Sequence, residues 1–185
     1  MIETIELRYN LSMVFSGIIL GIDPGLERTG YGLIEYNEAA NRPYELRAHG
    51  VFSLSRTLPL HERLFSLYEQ LADFLKLYHP SVIILEELYS HYEHPTTAIL
   101  MGHARGVVCL AATQHRIPLI GYGATRVKKA ITGNGSASKE QMHRMICHLL
   151  GLEGLSGPWD VTDALALAIT HADGMKHDFA IQRQT

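Results

Sequence analysis

The chain has 185 residues, 46% of them apolar and 19% charged, a globular mixture of about one domain's length and unlike the composition of disorder. Its net charge of −3, from 16 Lys and Arg against 19 Asp and Glu, argues against a broadly basic surface. Two cysteines exclude a disulfide scaffold and suit a reducing cytoplasm, no apolar run approaches the roughly 18 residues that cross a bilayer, and Glu3 and Glu6 do not belong in a secretory leader.

Residues 1–16 precede the first regular pattern and are read as a disordered or misassigned extension, with Met13 as an alternative start. The run Ile18–Ile22, closed by Asp23-Pro24-Gly25, predicts a buried strand, and Tyr31–Tyr36 completes a hairpin with it. A third strand is expected over Tyr44–Phe52. From Leu58 to Tyr78 leucines and aromatics recur at three- and four-residue steps, an amphipathic helix stopped by Pro80. Val82–Leu85 is wholly apolar, as in a strand covered on both faces. Thr96–His115 reads as a helix, Pro118–Ile120 as another buried strand, and the remainder as helical. Ser138 with Gln141 three residues on is a capping-box pattern, and Pro158 suits a first helical position. This order predicts an α/β fold with a mixed five-stranded sheet flanked by helices, in one domain over residues 17–173 with a tail at 174–185.

Carboxylates stand in three places where a core would not want them. Asp23 ends the first strand, Glu86 and Glu87 end the Val82 strand, and Asp160 and Asp163 lie three apart in the first turns of the last helix. Sites in α/β sheets lie outside the strands' carboxyl ends, so neighbouring strands would aim these acids into one mouth. Clustered carboxylates repel unless a cation neutralises them, and an all-oxygen set suits Mg²⁺ or Mn²⁺ rather than zinc. Two such ions activate a water and stabilise the leaving oxygen of a phosphodiester. Taken singly, each acid also fits a turn, an exposed strand end or a favourable first-turn charge. From Arg126 to Arg144 the chain carries Arg126, Lys128, Lys129, Lys139 and Arg144 against Glu140, which fits either a local phosphate contact or a solvated helix face.

Several segments match one family in its own order: Gly21-Ile22-Asp23-Pro24-Gly25 with Thr29-Gly30-Tyr31-Gly32, Leu85-Glu86-Glu87, and Gly102-His103-Ala104-Arg105-Gly106. Val127-Lys128, Gly133 to Lys139, and Asp160-Val161-Thr162-Asp163-Ala164-Leu165-Ala166 continue the match. From Ile18 to about Ala172 the chain resembles a RuvC-type Holliday-junction resolvase. The resemblance implies an RNase H-like fold and a homodimer that cuts four-way DNA junctions by paired symmetric nicks with ligatable, 5′-phosphate ends. It implies Mg²⁺, two ions per site with Mn²⁺ as a substitute, held by Asp23, Glu86, Asp160 and Asp163. It assigns phosphate contact and transition-state stabilisation to Lys128 and Lys139, and work alongside the RuvA–RuvB branch-migration machinery. Glu87 falls at a variable position. Tyr89 stands where the family has an aromatic, here read as a stacking platform for an unpaired base, but Ser90–Pro95 lacks the Lys-Asn pair that usually follows.

Two other readings compete. Asp23-Pro24-Gly25 with Thr29-Gly30 resembles the first phosphate loop of the actin–hexokinase phosphotransferases, which need a second domain to close over ATP. A catalytically silent junction-binding protein would have no use for an acidic pocket facing a polyanion. Small residues along Thr96–His115 (Ala98, Gly102, Ala104, Gly106, Ala111, Ala112) fit either packing on the chain's own sheet or close approach of a second copy.

Overall fold

The computed structural model describes residues 16–25, 27–87 and 95–182, with side chains over 16–25, 27–87 and 98–175. Five strands, β1 (Ser16–Asp23), β2 (Arg28–Asn37), β3 (Tyr44–Ser53), β4 (Val82–Glu86) and β5 (Leu119–Tyr122), form one sheet in the order β3-β2-β1-β4-β5. β2 pairs antiparallel with both β1 and β3, whereas β4 pairs parallel with both β1 and β5. The mixed five-stranded sheet expected from the sequence is the one observed.

Alternating side chains along the central strands divide two cores. Leu20, Ile22, Ile83 and Leu85 pack with Leu67, Leu71 and Leu75 of α1 (Leu60–Tyr78) and with Ala104, Val108 and Ala111 of α2 (Pro95–Gln114). Ile19, Ile34 and Ile84 face α3 (Ala124–Thr132), α4 (Lys139–Leu150) and α5 (Trp159–Gln182). Burial on both faces explains why Val82–Leu85 shows no alternation of polar and apolar residues.

Boundaries differ from the sequence reading in small ways with local causes. α1 opens at Leu60 because Pro59 occupies its N-cap, and closes on His79 in the left-handed region (φ 46°) just before Pro80. Gly133, at φ 76°, ends α3 and turns the chain towards α4. Residues 174–182, the first part of the C-terminal tail, continue α5 through Gln182: a single Gly174 weakens a helix without breaking it, and no proline follows. Among the described residues, no helix is long and apolar enough to cross a membrane.

Candidate active site

The parallel pairing of β1 with β4 places Ile22 beside Leu85, so the next residues, Asp23 and Glu86, emerge side by side at the strand ends. β1 is buried from Ile19 to Ile22 and β4 from Val82 to Leu85, and each is half-buried at the acid. The turn after Asp23 is held by the buried Thr29, whose hydroxyl donates to the Gly25 carbonyl at 2.8 Å and accepts from the Gly25 amide at 3.3 Å. Arg105 of α2 donates to the Glu86 carbonyl and so ties the end of β4 to the helix above it. Glu87 turns away from this point. It is exposed, lies against Gly121 and Gly123, and its amide donates to Tyr122 O at 3.0 Å.

α5 reaches the strand ends because the sheet beneath it is bare backbone. A methyl group on Gly21 would overlap the carbonyl of Ala164, and one on Gly30 would overlap that of Asp160. This contact sets the first turns of α5 down at the mouth, and Asp163 joins Asp23 and Glu86 in a cleft of about 310 Å³. Lys128 of α3 and Lys139 of α4 line the same cleft, with apolar walls from Met101, Val127, Met142 and Leu167. Lys139 is fixed at the start of its helix by a complete capping box. Ser138 Oγ accepts from the Gln141 amide at 3.3 Å, and Gln141 Oε1 accepts from the Ser138 amide at 2.8 Å.

Asp160 stands at the rim rather than on the wall of the cleft. Its carboxylate pairs with Arg28 of β2 at 3.7 Å. Between the two α5 acids, the buried Thr162 hydroxyl is hydrogen-bonded to His143 Nδ1 at 3.1 Å, which locks the first turns of α5 to α4. Sequence reading assigned no role to Arg28, Arg105 or His143. Arg105 lies inside a quoted motif, but the partners of Arg28 and His143 follow only from how α5 lies on β2 and α4. Tyr89 lies outside the described residues.

The crowded carboxyls perturb one another's ionisation. Burial pushes the Asp23 carboxyl up to about 9, with Glu86 adding repulsion and a shared hydrogen bond, and Asp163 and Asp160 raising it further. Burial likewise pushes Asp163 up to about 6; Lys139 and Lys128 oppose the rise, and Glu86 and Asp160 reinforce it. Among the described residues, no three His, Cys, Asp or Glu groups are drawn into a finished metal cage. The burial and mutual repulsion of these acids disfavour their charged forms, and a cation bound among them would relieve both. The donor set, carboxylate oxygens without a thiolate or imidazole on the cleft wall, fits a hard divalent ion such as Mg²⁺.

The family model for "Crossover junction endodeoxyribonuclease RuvC" matches residues 19–171. A protein of that name from Rhodopirellula baltica is 44% identical over 151 residues, covering 82% of this chain and 83% of its own. Another from Desulforamulus reducens is 44% identical over 155 residues, covering 84% and 93% respectively. Among solved structures, Thermus thermophilus RuvC in complex with a Holliday junction substrate superposes with a TM-score of 0.77 at 31% identity, over 84% of this chain and 93% of that one.

Proposed function

The chain belongs to the RuvC family of crossover junction endodeoxyribonucleases, and on that premise we propose that it resolves four-way DNA junctions by hydrolysing phosphodiesters at the Asp23–Glu86–Asp163 cleft. The observation that carries this reading is the convergence of three carboxyls from β1, β4 and α5 with two lysines from α3 and α4 in one cleft. Asp23, Glu86 and Asp163, with Asp160 at the rim, would hold the divalent cations, two Mg²⁺ per site with Mn²⁺ as a substitute. When bound, these ions would activate the attacking water and stabilise negative charge on the phosphoryl and leaving oxygens.

The chain's own residues do the rest. Lys128 grips a backbone phosphate at the mouth, and Lys139, held by its capping box, opposes charge that grows on the phosphoryl oxygens. The apolar walls exclude competing water. Attack by a water oxygen breaks the bond between phosphorus and the 3′ oxygen, leaving a 3′ hydroxyl that takes a proton and a 5′ phosphate. Tyr89 is the proposed stacking platform for a base unpaired near the crossover.

Two nicks in opposed strands call for two sites related by a two-fold axis, hence a homodimer. α2 supports this arrangement. Its Ala104, Ala111 and Ala112 are buried on the chain's own sheet, whereas Gly102 and Gly106 open outward between Ile99 and Leu110, both more than half exposed. The setting is cytoplasmic DNA recombination and repair, with RuvA–RuvB supplying the junction.

A labelled four-way junction with Mg²⁺, run beside linear duplex and beside ATP, separates this activity from the phosphotransferase and the silent binder. Paired nicks in the junction alone are expected. Asp163→Asn should abolish them and leave junction binding intact or slightly tighter, because it removes a ligand charge at constant size. Mg²⁺-dependent nicking by pure Asp163→Asn protein would sink the assignment.

A further inference from the structure

We propose that Arg28 is the resident counter-cation of Asp160, and that it sets the divalent-metal concentration at which the cleft fills. The inference rests on the metal-dependent reading above and extends it to a residue that carries no role there. Arg28 opens β2 two residues before Gly30, so both side-chain positions lie on the sheet face that meets α5. Gly30 abuts the backbone of Asp160, and Arg28, the next position on that face, reaches past the helix start to the Asp160 carboxylate. Its Nε lies 3.7 Å from Asp160 Oδ2, with 57% of the Arg28 side chain and 32% of the Asp160 side chain exposed.

This pairing has consequences for metal entry. Three acids share the interior of the cleft with two lysines, whereas Asp160, at the rim, is partnered by an arginine. A divalent ion drawing on Asp160 must either displace the guanidinium or accept a positive charge a few ångströms away. Both lower its affinity. The half-exposed arginine can swing into solvent, so the competition is modest and reversible. Removing the charge should therefore tighten metal binding by about fivefold, the upper range for an exposed ion pair of about 1 kcal/mol. A purely structural clamp would do the reverse, because a loosened Asp160 is a poorer ligand.

The test is direct binding of Mn²⁺ to the full chain without DNA, followed by calorimetry or by the loss of free-ion paramagnetic signal. Arg28→Gln should bind Mn²⁺ about fivefold more tightly than the parent, and Arg28→Lys, which keeps the charge, should stay within about twofold of it. Asp160→Asn in the Arg28→Gln background should erase the gain. Equal or weaker binding by Arg28→Gln, or an Arg28→Lys that behaves like Arg28→Gln, overturns the counter-cation role while leaving the nuclease reading in place. No Mn²⁺ binding by the parent overturns both.

Discussion

On the face of the sheet covered by α1 and α2, large side chains fill the space between layers. Tyr31 stacks on Phe52 at 4.7 Å and meets Phe74 at 4.8 Å, and Leu67, Leu71 and Leu75 are completely buried or nearly so. On the opposite face, α5 lies so close to β1 and β2 that Gly21 and Gly30 contact helix backbone directly. The first kind of packing is tolerant, since side chains can rotate and refill. The second is stiff, because neither backbone can give. The cleft carboxyl on a helix, Asp163, belongs to the stiff face. Position at the level of a few tenths of an ångström is therefore secured where the helix is set by backbone against backbone, and bulk hydrophobic stability is supplied from the other side.

The largest expected effects come from exchanging these two kinds of packing. Gly21→Ala forces its methyl into the Ala164 carbonyl, so α5 must shift or the chain must unfold. The cost should exceed the about 1–3 kcal/mol usual for overpacking, and cleavage per folded molecule should fall to near zero because Asp163 moves with α5. Leu71→Ala, fully buried on the tolerant face, should cost a similar about 2–5 kcal/mol yet leave cleavage per folded molecule near that of the parent. Denaturant titration paired with a junction assay on the folded fraction measures both. A Leu71→Ala protein that is folded but inactive would break the comparison.

A smaller effect separates the site's chemistry from its packing. The Asp23 carboxyl lies near 9 in the fold against an ordinary 3.8, so the folded state holds a proton that the unfolded chain loses between those values. Stability conferred by the neutral carboxyl is thus present at low pH and drains away as pH rises from about 4 to about 9. Asp23→Asn cannot lose that proton. Without metal, its melting temperature should exceed the parent's by several degrees at pH 8, and the gap should close towards pH 4. Millimolar Mg²⁺ should raise the parent more than the variant, which keeps Glu86, Asp163 and Asp160 but has lost one ligand charge. Thermal unfolding across this pH range measures it, and parallel curves for the two proteins would show that Asp23 is not the strained group.

These contrasts mark what the sequence could and could not disclose. The Asp23–Glu86 juxtaposition was legible, because two apolar runs each ended in an acid and needed only to be parallel neighbours. The approach of α5 was legible in part: Gly21 and Gly30 stood in a recognisable motif, but nothing in one dimension says which helix they admit. Asp160 and Asp163 share a helix face by spacing, yet only the tilt of α5 decides that Asp163 enters the cleft and Asp160 stops at the rim with Arg28. The Arg126–Arg144 basic stretch could not be resolved by charge alone. The fold divides it, turning Lys128 and Lys139 inward to the acids while Arg144 lines a separate groove with His148 on the outer side of α4.

That division yields the finest distinction, between the two cleft lysines. Both act on Asp163, but the pull of Lys139 is the larger, and the backbone of Lys139 is set by a capped helix start. Lys128 lies mid-helix in α3, half-buried at the mouth. Lys128→Ala should weaken junction binding and reduce the log–log salt slope by about 1, the signature of one lost phosphate contact. Lys139→Ala should leave that slope nearly unchanged and slow cleavage instead. It should also move the acid limb of the pH–rate profile upward, because removing a cation beside Asp163 makes its carboxyl harder to ionise, so the deficit is greater at pH 6 than at pH 8. Salt-dependent binding and a pH series on both variants decide the matter. Identical salt slopes for Lys128→Ala and the parent would take Lys128 off the DNA, and an unshifted acid limb in Lys139→Ala would mean that its charge serves the phosphate rather than the carboxyl.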